Sequence, residues 1–140
     1  MESKILELIQ NLTNINSPSG NAYKAISYVK QKVEHLGYST QLTNKGALII
    51  TVEGEDNERQ RCITAHVDTL GAMVKEIKED GRLTIDLIGG FKYNAIEGEY
   101  CQIETDSGET YTGTICLHET SVHVYRENEK IPRDIEHMEV

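Results

Sequence analysis

The hydrophobic period of this chain changes once and does not change back. Up to about Leu70 apolar residues recur first with a helical step and then with period two, and beyond it no helical stripe returns. The two periods bury different faces, so this pattern predicts an α/β segment followed by an all-β one. In residues 5–15, Ile5, Leu8, Ile9, Leu12 and Ile15 fall on one helical stripe. Ser17-Pro18-Ser19-Gly20 breaks the chain, because proline lacks a donor and glycine admits positive φ. Asn21 is placed to cap a second helix carrying Ala22, Ile26, Val29, Val33 and Leu36, with Gly37 where a left-handed C-terminal glycine belongs.

Alternation follows. Tyr38, Thr40 and Leu42 alternate with polar neighbours, Asn44-Lys45-Gly46 is tight-turn chemistry, and residues 47–52 read as a strand. Residues 54–60 form a charged loop, and residues 61–67 are expected as a third strand, with Cys62, Thr64 and His66 on one face. Past Leu70, residues 73–77, 83–88, 100–104 and 111–117 are strand-like, separated by Glu79-Asp80-Gly81, Gly89-Gly90 and Asp106-Ser107-Gly108. Residues 122–125 are expected to add a further strand. Short strands at this spacing suggest a small barrel or sandwich. The α/β part alone has too few elements to complete a layered domain.

Composition narrows the functional classes. The 140 residues suffice for one domain or two small halves. Twenty-three acidic against 14 basic residues leave a formal net charge of −9, which argues against nucleic-acid backbones and anionic lipid surfaces. A mean hydropathy of −0.46, with no apolar run near the roughly 20 residues that cross a bilayer, argues against a membrane protein. Cys62, Cys101 and Cys116 are odd in number and widely spaced, as expected for reduced, packed thiols of a cytosolic protein.

Three short patterns carry possible chemistry. In His66-Val67-Asp68 the outer residues project to the same face of a strand, so the carboxylate can accept one ring N–H and leave the other nitrogen for a metal. A strand-end histidine held by a turn aspartate satisfies the same pattern without a metal. His118 and His123 flank Glu119, but their spacing of five misses the spacing of four that HExxH needs on a helix. Asp106-Ser107-Gly108 matches the tripeptide of aspartic proteases, whose homodimers pair two such carboxylates, and is equally good hairpin-turn chemistry.

Longer stretches are more specific. Asn16-Ser17-Pro18-Ser19-Gly20-Asn21, Lys45-Gly46-Ala47-Leu48-Ile49, Thr64-Ala65-His66-Val67-Asp68-Thr69-Leu70-Gly71-Ala72-Met73-Val74, Ile88-Gly89-Gly90-Phe91, Glu97-Gly98-Glu99-Tyr100 and Tyr111-Thr112-Gly113-Thr114 occur in that order. Together they resemble the glutamyl-aminopeptidase and cellulase-M family of dinuclear metallo-aminopeptidases, which includes the TET aminopeptidases. The resemblance covers essentially the whole chain. It implies an α/β catalytic domain interrupted by an inserted β-barrel-like domain used in dimerisation, with dimers often building a hollow dodecamer. It also implies peptide substrates and two divalent metals, commonly zinc or cobalt, that polarise the scissile carbonyl and activate a bridging water. His66 would bind one metal and Asp68 would orient it.

The family's bridging aspartate, general-base glutamate, other carboxylate ligands and distal histidine lie after the inserted domain, and Val140 precedes them. The chain is therefore expected to be an N-terminal portion. Residues 1–69 would belong to the catalytic domain and residues 70–140 to an incomplete insert. Alone it would bind at most a single metal weakly and be inactive, since even a mononuclear catalytic zinc takes three protein ligands. Two other functions compete: a β-rich self-association module, and a homodimeric aspartic protease using Asp106.

Overall fold

In a computed structural model, which describes residues 2–56 and 58–140, the chain divides into two compact units, Met1–Gly71 and Ala72–Val140. Unit 1 opens with two amphipathic helices, α1 (Glu2–Thr13) and α2 (Tyr23–His35). Asn21 does not cap α2. Its amide donates to the Pro18 carbonyl at 2.8 Å and closes a turn, so the helix starts later, behind Ala22, with no side-chain cap. The other end follows the sequence: Gly37 sits at φ +88°, the Tyr38 amide reaches back to the Val33 carbonyl and the Gly37 amide to that of Glu34. This is a Schellman closure, which needs the left-handed residue that glycine supplies.

A hairpin of β1 (Ser39–Leu42) and β2 (Leu48–Thr51) follows, with Thr40 opposite Ile50. The Thr40 hydroxyl donates to Glu34 at 2.6 Å and ties the hairpin to α2. The strand expected over 61–67 does not form; these residues are irregular, and Ile63 is 95% exposed. A lone strand cannot pair its own amides, and among the described residues this segment joins no ladder. The end of the segment is tied down by the Ser17 hydroxyl on the Val67 carbonyl and, just beyond it, by a parallel bridge from Pro18 to Thr69.

Unit 2 is built of hairpins. β3 (Gly71–Ile77) pairs with β4 (Leu83–Ile88) across a turn at Gly81, φ +84°. β5 (Tyr100–Glu104) pairs antiparallel with β6 (Thr110–Thr114), and β7 (Cys116–Leu117) with β8 (Met138–Glu139). Among the described residues these remain two-stranded ladders, and no closed barrel forms. They are joined by short links: Leu83 and Val140 exchange both backbone hydrogen bonds at 2.9 Å. Ile85, Ile115, Leu117 and Met138 form the core, with Tyr93, Ile96 and Cys101 against it.

The expected strand at 122–125 is also absent. The Ser121 carbonyl accepts from the amides of Val124 and Tyr125, and the Thr120 hydroxyl donates to the Leu117 carbonyl at 2.5 Å. Local bonds of this kind compete with a ladder and here they win. Of the three free cysteines Cys101 and Cys116 are half-buried, while Cys62 is exposed rather than packed. No helix among the described residues is long and apolar enough to cross a membrane.

Candidate functional site

Residues 66–69 are held in place from the far side of α1. Ser17 is fully buried; its hydroxyl donates to the Val67 carbonyl at 2.8 Å, and its carbonyl accepts the Thr69 amide at 2.9 Å. The Thr69 hydroxyl accepts from the Ser17 amide at 3.3 Å. Pro18 lies against Gly71 so closely that a Cβ there would stand 2.7 Å from the proline Cβ. The turn beyond needs Gly20 at φ +91°, the left-handed third position of a type II turn.

His66 and Asp68 meet as the sequence predicts, although the segment is not a strand. His66 Nδ1 is 2.7 Å from Asp68 Oδ1, and the Ser19 hydroxyl donates to Asp68 Oδ2 at 2.5 Å. The Ser19 hydrogen bond first, and the one from His66 second, hold the Asp68 carboxyl below the usual aspartate range. An ionised carboxylate only accepts, so the proton between the pair sits on Nδ1. In the neutral ring Nε2 then carries the free lone pair. The His66 side chain is 85% exposed, so that nitrogen is open to a ligand. Chemically this is an oriented imidazole donor, as histidine ligands of zinc or cobalt are.

The donor set stops there. Among the described residues no group of three or more histidine, cysteine, aspartate or glutamate side chains is arranged to hold a metal ion. The pair fits one ligand position and not a complete site. Ser17 and Ser19 were legible only as a helix breaker in the sequence; the recurring Asn16-Ser17-Pro18-Ser19-Gly20-Asn21 stretch was the available signal.

The other candidates are not brought into a site. Asp106 lies exposed in the β5–β6 turn, where the Thr105 amide donates to the Glu109 carbonyl at 3.0 Å and Gly108 takes φ +83°. His118 faces Glu139, 3.1 Å from its carboxylate. That carboxylate, 4% exposed, also takes Lys78 at 2.7 Å and a close contact from Arg82. Burial pushes the Glu139 carboxyl up, but the hydrogen bonds from Lys78 and His118 and the charges of Lys78 and Arg82 outweigh it, leaving it below the glutamate range.

Residues 46–140 match the M42 glutamyl aminopeptidase family model. The chain belongs to this family. It is 58% identical over 137 residues to the YhfE protein of Bacillus subtilis (strain 168), named for aminopeptidase activity, covering 98% of this chain and 40% of that one. An aminopeptidase structure from Desulfurococcus kamchatkensis superposes with a TM-score of 0.85 at 25% identity, over 98% of this chain and 37% of its own. The Pyrococcus horikoshii TET1 peptidase, described as assembling into a tetrahedron or a large octahedral shell, shares the fold at a TM-score of 0.75 and 21% identity, over 96% of this chain and 39% of its own. The chain thus spans less than half the length of each.

Proposed function

We propose that this chain supplies one metal-ligand histidine of a two-metal aminopeptidase. The observation that carries the reading is the 2.7 Å contact of His66 Nδ1 with Asp68, in a member of an aminopeptidase family. His66 Nε2 is the ligand atom. Asp68 keeps the proton on Nδ1, fixes the ring and raises its basicity. Two divalent ions, zinc or cobalt, supply the polarising charge and the activated water when bound. The substrates are peptides, cleaved at their N-terminus. Residues 1–69 serve the catalytic domain and residues 70–140 the oligomer contacts of a dimer-built assembly, as the shells formed by the TET1 relative suggest. Three free cysteines fit a cytoplasmic protein.

With no group of three metal-binding side chains among the described residues, the 140-residue chain should hydrolyse aminoacyl-nitroanilides no faster than its His66→Ala variant, with zinc or cobalt supplied. Chelator-sensitive turnover well above that control would refute the one-ligand reading. In a chain joined to the remaining part of such an aminopeptidase, Asp68→Asn should lower metal affinity or activity by roughly 10–100-fold, partly restored by excess metal. His66→Ala should lose more and recover less. Unchanged metal affinity in Asp68→Asn would sink the assignment.

A further inference from the structure

An aspartate gripped by one oxygen is poorly fixed, because its terminal torsion is broad and shallow. Asp68 is gripped by both: Oδ1 accepts from His66 Nδ1 at 2.7 Å and Oδ2 from the Ser19 hydroxyl at 2.5 Å. Ser19 is itself precisely placed. It is the second residue of the Pro18–Asn21 turn, closed by the 2.8 Å bond from the Asn21 amide to the Pro18 carbonyl and shaped by Gly20 at φ +91°. That turn is clamped to the 67–71 segment by buried Ser17, by the Pro18–Thr69 bridge and by the fit of Pro18 on Gly71. The clamp uses none of the Ser19 side chain. Ser19 is exposed, and its hydroxyl is spent on Asp68.

We propose that Ser19 is a positioning residue for the metal-ligand histidine: its hydroxyl locks the Asp68 carboxylate plane so that Oδ1 stays on His66 Nδ1 and Nε2 is presented as the donor. This rests on the His66–Asp68 reading above and extends it one residue outward from Asp68, to a loop 49 positions earlier in the chain. A serine kept only for the turn would do its work through the backbone. A serine kept for Asp68 does it through one O–H, and the two roles separate experimentally.

The test reads the histidine tautomer in the 15N-labelled 140-residue chain by long-range proton–nitrogen correlation at about pH 8, well above the ordinary histidine value. The wild type should show a protonated Nδ1 and a lone-pair Nε2 on His66. Asp68→Asn should abolish that preference. Ser19→Ala should weaken it visibly, and Ser19→Thr, which keeps the hydroxyl, should retain it. Exchange protection of the Asn21 and Thr69 amides should be the same in all Ser19 variants. If Asp68→Asn shifts the tautomer while Ser19→Ala leaves it at wild type, the Ser19 role is overturned and the His66–Asp68 pair stands. If Asp68→Asn changes nothing, the pair falls and Ser19 with it. Lost amide protection in Ser19→Ala would reassign the serine to the turn and also overturn the proposal.

Discussion

Met138 is 1% exposed and Ile63 is 95% exposed, and the two residues characterise the units they belong to. Unit 2 closes a core of its own around Ile85, Ile115, Leu117 and Met138. Unit 1 has the longer and more regular elements, yet α1 buries no residue and α2 buries only Ala25. Ile5, Leu8 and Ile9 on α1, Leu36 after α2, and Ile49 and Ile50 on β2 all remain exposed. Regular secondary structure and a closed core are thus separable. Caps, turns and helical stripes suffice to specify the elements of unit 1, while burial is what makes unit 2 a stable object. A helix of 12 or 13 residues is marginal in water without a covered face, so unit 1 holds the weaker half of the stability.

The most forceful way to break this contrast is a truncation in each unit. Met138→Ala should destabilise unit 2 by about 2–5 kcal/mol, the usual cost of emptying a packed core site. Ile9→Ala on α1 should stay within about 0.5 kcal/mol, the ordinary range for surface substitutions. Residue-resolved hydrogen exchange reads both, and equal losses would dissolve the distinction.

Glu139→Gln sharpens the comparison by asking whether charge or packing closes unit 2. It should cost about 1–3 kcal/mol, because Lys78 and Arg82 lose a charged acceptor. A carboxylate whose folded pKa is depressed contributes its stability above the unfolded pKa and loses it as pH falls through the folded one. The wild type should therefore lose stability on acidification below the ordinary glutamate value, and Glu139→Gln should show a shallower loss in parallel urea titrations. Identical acid slopes would remove the charge contribution.

Gly71→Ala should cost about 1–3 kcal/mol, the usual range for overpacking, because the Pro18 ring atom it meets is tied to a clamped backbone. Its mark should be local. The amide of Thr69 should exchange faster while the unit 2 ladders keep their protection. Uniform loosening throughout the chain would contradict a local effect.

Elements defined by local chemistry were legible in the sequence: α2 with Gly37 and the β1–β2, β3–β4 and β5–β6 turns lie where period and glycine placed them, although the strand expected over 111–117 breaks at Ile115 into β6 and β7, which pair with different partners. Those that depend on a neighbour were not. Residues 61–67 have the alternation of a strand but lack a ladder partner, and residues 122–125 lose theirs to bonds from Ser121 and Thr120. Within the candidate site, His66 and Asp68 could be paired from a spacing of two. Ser17 and Ser19 could not, because their partners are about 50 residues away and no periodicity encodes such a contact.

The strand β8 has a consequence for how unit 2 is assembled in time. Glu139 meets Lys78 across 61 positions and Arg82 across 57, and Met138 completes the core from the same strand. Hairpins close within about 1–10 μs, whereas contacts this distant in sequence slow folding because loop closure must precede their reward. The β3–β4 and β5–β6 ladders should therefore form first and the core should seal last, when β8 arrives. Under this order Met138→Ala speeds unfolding and leaves refolding almost unchanged. A refolding rate that falls in step with the lost stability would place β8 in the nucleus instead.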